Sequence, residues 1–97
     1  MKIIIPNFDV PIFKYIAQCL ETIASDNLNV LYWNPSIVPI IDMFDELNPS
    51  VVFLHESQLD EAFKIVCRDF DFKYVVFVNG ETALPADLAH PPHAIIA

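Results

Sequence analysis

The run Val51-Val52-Phe53-Leu54-His55 decides the fold of this chain, because it is one of four similar apolar runs rich in β-branched residues. The other three are Lys2–Pro6, Asn29–Trp33 and Lys73–Val78, and a shorter fifth run covers His93–Ile96. Near-continuous apolar runs of this length are typical of strands buried on both faces of a parallel sheet. The runs therefore predict a parallel sheet of four to five strands.

Three segments between these runs carry apolar residues at helical spacing, and they predict helices over Pro11–Ser25, Ile37–Leu47 and Gln58–Phe70. Helices are the connections that parallel strands need. The fold class is therefore α/β: a three-layer, Rossmann-like or flavodoxin-like domain with three helices. Its 97 residues allow one domain. We expect the first strand to be central and to pair in parallel with the second.

The ends of the predicted helices carry residues that commonly cap helices. Asp9 precedes the first helix, Ser36 precedes the second, and Ser57 with Asp60 resembles a capping box at the third. The two cysteines lie on the apolar faces of different predicted helices, which predicts buried structural thiols at the positions Cys19 and Cys67.

The segment Glu81–His93 predicts a braced loop and no fourth helix, because it contains Pro85, Pro91 and Pro92. Three helices cannot cover both faces of a five-stranded sheet, so one face should carry two helices and the other one. The loop could cover part of the gap with three side chains: Leu84, Leu88 and Ala89. We expect another subunit or further sequence to cover the rest, and interpret the chain as the N-terminal part of a larger protein or an obligate oligomer.

The charge of the chain argues against two classes of partner. Thirteen acidic and five basic side chains give a formal net charge of −8. Nucleic acids and anionic lipid surfaces attract clustered Lys and Arg, so we predict no nucleic-acid partner. The sequence also has no apolar stretch long enough to span a membrane and no secretory pattern at its N-terminus. These two features predict a cytoplasmic chain.

Cofactor and metal motifs are missing from the sequence. Gly80 is the only glycine, so neither a dinucleotide-binding G-x-G-x-x-G nor a Walker loop is present, and we predict no cofactor. The spacing of His90 and His93 can suit a metal, but no cysteine or carboxylate pattern accompanies them, so we predict no metal site.

Open α/β sheets bind their ligands at the carboxyl ends of the strands. That rule selects six candidate substrate-binding residues: Asn7, Asp9, Trp33, Asn34, Ser57 and Asn79. Each has a structural alternative. Asp9 and Ser57 suit helix caps. Asn34-Pro35 and Asn79-Gly80 are ordinary turn dipeptides. A tryptophan at a strand end, such as Trp33, often packs under a loop.

His55 and Glu56 are the candidate catalytic pair. A histidine at a strand end beside a carboxylate can act as a general base near neutral pH. The alternative is a partly buried histidine that forms a hydrogen bond with a neighbouring loop.

Several stretches together resemble the N-terminal Rossmann-like half of GT-B glycosyltransferases. They are the opening KIIIPN of residues 2–7, Tyr15-Ile16-Ala17 in the first helix, VLYWNP over residues 30–35, and LNPSVVFLH over residues 47–55. The family commonly has a third strand of the style P-D-V-V-x-x-H, which Pro49–His55 matches with Ser50 in place of the acid.

This resemblance implies an acceptor-side domain that cannot transfer a sugar alone, because the half that binds the nucleotide sugar in the family does not occur in these 97 residues. Asn7–Pro11 also replaces the glycine-rich turn that the family often has after its first strand. The competing hypothesis is a small binding or assembly module on a Rossmann-like scaffold without catalysis. Fold alone does not decide between the two.

Overall fold

The structure, a computed structural model, describes residues 2–6, 11–22, 29–78 and 84–96. These residues form five strands and three α-helices. In chain order the elements are β1 (Lys2–Pro6), α1 (Pro11–Thr22), β2 (Asn29–Trp33), α2 (Ile40–Leu47), β3 (Val51–His55), α3 (Glu61–Asp69), β4 (Lys73–Phe77) and β5 (Ala94–Ile96). The strands form one sheet in the order β2-β1-β3-β4-β5, and every neighbouring pair is parallel. The predicted α/β, Rossmann-like or flavodoxin-like three-layer fold is confirmed.

The position of β1 differs in part from the prediction. It pairs in parallel with β2, as expected, with Ile4 opposite Leu31. However, β3 and not β1 is the middle strand, because both later strands add on the far side of β3. The strand order reverses between β1 and β3, and in doubly wound sheets the crevice at such a reversal is where ligands bind.

The two faces of the sheet are covered unequally, as predicted. Helices α2 and α3 pack on the face that carries Val52, Leu54 and Tyr74, each of them fully buried. On the other face, Phe13 of α1 packs edge-to-face on Phe77, with ring centroids 5.0 Å apart. Among the described residues, no helix is long and apolar enough to cross a membrane.

The proline loop, residues 84–93, packs on the two-helix face, where two of the three side chains that we expected to cover apolar surface do so. Its two leucines, Leu84 and Leu88, pack against the core cluster beneath α2 and α3, and Ala89 is exposed. The Tyr74 hydroxyl holds the loop there by donating a hydrogen bond to the carbonyl oxygen of His90 over 2.7 Å. The loop has no helix, as predicted.

Helix α2 begins at Ile40 and not at Ile37, and Ser36 does not cap it. Asn34 explains the difference, because its side-chain oxygen accepts the Ser36 backbone N–H and its carbonyl oxygen accepts the N–H groups of Ile37 and Val38. The chain therefore turns before the helix starts, and Pro39 takes the N-cap position without a side-chain hydrogen bond.

Helix α3 begins at Glu61, later than predicted, and Asp60 is its N-cap, accepting the Phe63 N–H over 3.0 Å. Ser57 does not cap this helix, because a separate 3₁₀ turn, Glu56–Gln58, comes first. The last two strands are one residue shorter than predicted, since β4 ends at Phe77 and β5 begins at Ala94.

The two cysteines differ in exposure. Cys67 is buried, as predicted, but Cys19 is exposed, so that prediction is wrong. Helix α1 buries Phe13 and Ala17. Cys19 lies two positions beyond Ala17, which is about 200° around the helix and points away from the sheet. Helix α1 ends at Thr22 among the described residues, and the rest of the predicted helix, to Ser25, lies outside them together with Asp9.

Candidate functional site

The structure brings five of the predicted residues to the carboxyl edge of the sheet. Trp33 ends β2 and His55 ends β3, and Asn34, Glu56 and Ser57 follow directly in the loops. The remaining three predicted residues lie outside the described part of the chain: Asn7, Asp9 and Asn79.

A cavity of about 280 Å³ opens between these two loops, and we call it the strand-end cleft. Its lining comes from the end of β2, the start of α2, the 3₁₀ turn and the start of α3. The lining residues are Trp33, Pro35, Pro39, Ile40, Ser57, Gln58, Asp60 and Ala62. Of the predicted site residues, Trp33 and Ser57 line this cleft.

The β2–α2 side of the cleft is held by the indole of Trp33. Its Nε1 donates a hydrogen bond to the Val38 carbonyl oxygen over 2.7 Å, and only 5 % of the residue is exposed. The ring therefore serves as a buried wall and leaves little surface for stacking on a ligand. Asn34 has a structural role at this wall, because its side chain forms the turn described above.

The opposite wall depends on a set of short-range hydrogen bonds after β3. The Gln58 Oε1 accepts the His55 backbone N–H over 2.8 Å. The His55 Nδ1 accepts the Ser57 backbone N–H over 3.2 Å and lies 2.8 Å from the Ser57 Oγ. Because Nδ1 accepts the Ser57 N–H, it is the unprotonated nitrogen of a neutral His55 ring.

The amide nitrogen of Gln58 has no acceptor in the described part of the chain. Gln58 Nε2 is buried, and its orientation is fixed because the other end of the amide accepts from His55. Asp60 is the only charged residue among those that line the cleft, and its carboxylate is engaged at the start of α3. The cleft therefore combines an apolar wall with one unsatisfied donor.

Two other grooves of similar size do not have this combination. One, of about 350 Å³, lies at the opposite edge of the sheet and is lined by residues 48–51 and 71–73. The other, of about 260 Å³, lies between α1 and β2, where Tyr32 and Glu21 form a hydrogen bond with each other. The first groove lies away from the carboxyl ends of the strands, and the second reaches Pro6 at the end of β1 but contains no residue of β3 or of the loop after it.

Within the described residues, His90 and His93 belong to no group of side chains that could hold a metal ion. In residues 2–6, 11–22, 29–78 and 84–96, no group of three or more His, Cys, Asp or Glu side chains lies close enough to hold a metal ion. The His90 ring instead packs edge-to-face on Phe72 and Tyr74, with centroids 5.3 and 5.4 Å away, and its Nε2 is buried without a partner there. His93 is exposed, and its backbone N–H donates to the Tyr74 carbonyl oxygen.

Sequence reasoning missed Gln58, Asp60 and Ala62 as lining residues. It placed Gln58 at the start of the third helix and did not select it as a site residue. The available signal was the order Ser57-Gln58 directly after a strand that ends in histidine, because a Gln side chain there can reach back to the last strand N–H. Comparisons with protein-family models, with curated proteins and with solved structures found no match to this chain.

Proposed function

We propose that this domain is a non-catalytic module that binds a small polar ligand in the strand-end cleft. One observation carries the proposal: the cleft lies at the carboxyl ends of β2 and β3, on either side of β1 and next to the point where the strand order reverses. A cavity of about 280 Å³ is near the lower limit of small-molecule sites, so the ligand is small.

The chemistry of the lining supports binding over catalysis. A nucleophile needs a neighbouring base whose lone pair can take its proton. The nearest such pair here is Ser57 and His55, whose Oγ and Nδ1 lie 2.8 Å apart, but the single lone pair of that Nδ1 is shared with the Ser57 backbone N–H at 3.2 Å. The carboxylate of Asp60 is likewise engaged as a helix cap. The described lining residues therefore supply shape and hydrogen bonds and no activated nucleophile.

Filling the cleft tests this proposal. Ala62 lies in α3 and lines the cleft, and Ala62→Leu places three extra carbons in the cavity while keeping a good helix former. The matched control is Ala86→Leu, at an exposed position of the proline loop. Ligands would be sought among small amides, organic acids, saccharides and nucleotides, by following ¹⁵N–¹H spectra and the emission of the single tryptophan, Trp33.

The proposal predicts a ligand that shifts the signals of cleft residues and binds Ala86→Leu as tightly as the unmodified chain. The same ligand should bind Ala62→Leu at least about tenfold more weakly, because the added side chain occupies the volume that the ligand needs. Ligands that bind all three proteins equally would show that the cleft is not the site. A screen in which no ligand shifts the cleft signals would also overturn the proposal.

The resemblance of Pro49–His55 to a GT-B third strand supports a second candidate: the acceptor-side half of a cytoplasmic glycosyltransferase, whose partner is a C-terminal nucleotide-sugar-binding domain. His55 at the carboxyl end of β3, beside the cleft, is the observation that favours it. This candidate predicts that the domain binds saccharide acceptors but not nucleotide sugars. Titration with both classes tests it, and binding of a nucleotide sugar without any saccharide binding would contradict it.

A further inference from the structure

The start of helix α2 faces the strand-end cleft and offers hydrogen-bond donors. Pro39 and Ile40 both line the cleft. The first-turn N–H groups of a helix have no partner inside the helix. In α2 no side chain caps them, and the backbone hydrogen bonds of this end begin with Met43, whose N–H donates to the Pro39 carbonyl oxygen over 3.0 Å.

Gln58 provides a separate observation on the opposite wall. Its Oε1 is held by the His55 N–H at 2.8 Å, so the terminal amide cannot reverse without losing that bond. Its Nε2 is left as a buried donor without an acceptor among the described residues. Buried donors are paired in most proteins, so an unpaired one calls for a partner such as a water or a ligand oxygen. Gln58 itself is one of the residues that line the cleft.

The charges around the cleft decide between a charged and an uncharged acceptor. Asp60 lines the cleft, Asp42 lies in the first turn of α2, and the whole chain carries a formal charge of −8. No basic residue is among those that line the cleft. A carboxylate or phosphate would therefore meet like charges, whereas a carbonyl oxygen can accept the same hydrogen bonds without that repulsion.

From these two walls we infer that the strand-end cleft binds an uncharged carbonyl or amide group, with its oxygen accepting from Gln58 Nε2 and from the first turn of α2. The inference rests on the proposed function, because it names the ligand class of that same cleft. The proline and alanine side chains of the lining suit the apolar part of a small capped peptide or amide.

The test compares three small probes on the same protein: N-acetyl-L-alaninamide, acetate and inorganic phosphate. Each is titrated into the ¹⁵N-labelled chain, and the shifts of Ile40, Ile41 and the Gln58 side-chain amide are followed. The inference predicts saturable shifts with the amide and roughly tenfold weaker binding of both anions, because like charges oppose them.

Gln58→Glu isolates the donor. The variant keeps an oxygen that can accept the His55 N–H but replaces Nε2 with a second oxygen. Binding of the amide probe should therefore weaken by roughly tenfold, because one hydrogen bond is lost and an acceptor takes the place of the donor. The matched control is Gln18→Glu, which makes the same chemical change at an exposed position of α1 and should leave binding unchanged. If Gln58→Glu does not fold, as judged by circular dichroism, the comparison of the three probes on the unmodified chain still decides.

Tighter binding of acetate or phosphate at the cleft would overturn this inference and leave the proposed function standing. Unchanged amide binding by folded Gln58→Glu would do the same. A third outcome is that none of the three probes shifts the cleft signals, while a ligand of another class binds the cleft and its binding is lost in Ala62→Leu. In that case the inference fails and the proposed function stands. If no ligand of any class binds the cleft, both fail.

Discussion

The indole Nε1 of Trp33 donates a hydrogen bond to the carbonyl oxygen of Val38, 2.7 Å away. This contact joins the last residue of β2 to the loop that leads into α2, and it fixes one wall of the strand-end cleft. The tryptophan therefore acts as a structural support for the cleft, in keeping with its 5 % exposure.

Trp33→Phe keeps an aromatic ring at this wall but removes the donor and part of the buried surface. We expect the free energy of unfolding to fall by about 1–3 kcal/mol, because a partly buried carbonyl oxygen loses its partner and the smaller ring leaves space. Urea denaturation followed by circular dichroism measures this change. The control is Tyr32→Phe, which removes a hydroxyl from the neighbouring, exposed aromatic residue. An equal loss in both variants would contradict the role assigned to Trp33.

Tyr74→Phe should loosen the proline loop. The Tyr74 hydroxyl donates to the His90 carbonyl oxygen over 2.7 Å, and the only other described donor to that oxygen is the Cys67 thiol at 3.7 Å. The loss should lower the free energy of unfolding by about 1 kcal/mol. It should also speed hydrogen exchange at the His93 N–H, which lies directly before β5 and donates to the Tyr74 carbonyl oxygen. Unchanged exchange at His93 would show that the leucines hold the loop without this bond.

Tyr74 also predicts a loss of stability in alkali. Burial raises the pKa of Tyr74 above its ordinary value of 10.0, with a further contribution from Cys67. Below about pH 10 the hydroxyl is protonated in both the folded and the unfolded chain, so its contribution is complete. Above that pH the unfolded chain releases the proton first, and stability falls as the pH rises. Unfolding curves from pH 9 upward should therefore fall less steeply for Tyr74→Phe than for the unmodified chain, and identical slopes would contradict the prediction.

Much of the fold could be predicted because it depends on local patterns. The β-branched runs identified all five strands, and the apolar stripes identified the helices to within a few residues. The start of α2 was predicted three residues too early, because the Asn34 side chain forms a turn that competes with a Ser36 cap. A hydrogen bond of that kind depends on backbone geometry that helical spacing does not reveal.

The cleft could be predicted only in part. The rule for strand ends selected Trp33 and Ser57, but Gln58 became visible as a lining residue only once the 3₁₀ turn after β3 was known. The face of the sheet on which the proline loop lies could not be predicted either, because the contact between Tyr74 and His90 joins residues 16 positions apart. Contacts of that range are set by tertiary packing and leave little trace in the periodicity of the sequence.

The single-helix face leads to a prediction about association. Register places Phe53, Val75 and Ile96 on the face of α1, where the first two are partly buried and Ile96 is 41 % exposed. Three short strands can bury on the order of 200 Å² of surface in a contact, well below the roughly 800 Å² that each partner buries in a stable interface. We therefore expect concentration-dependent, weak association that survives high salt, because apolar contacts are not screened.

Sedimentation at low and high ionic strength measures this association, with dye binding as a probe of exposed apolar surface. Ile96→Lys should abolish it, because a charge would be desolvated at the contact. Ile37→Lys is the control, since Ile37 is 76 % exposed and precedes α2, on the opposite face. A strictly monomeric chain without dye binding would show that the domain closes its own core.

The most direct test of the central claim is a map of the backbone and side-chain signals that shift when a small ligand binds. We expect the largest shifts at the strand-end cleft, in the Trp33 indole N–H, Ile40 and Ser57. The groove of about 350 Å³ at the opposite edge, near Asn48 and Asp71, is the competing position. Shifts confined to that groove would contradict the claim that this domain binds its ligand at the carboxyl ends of β2 and β3.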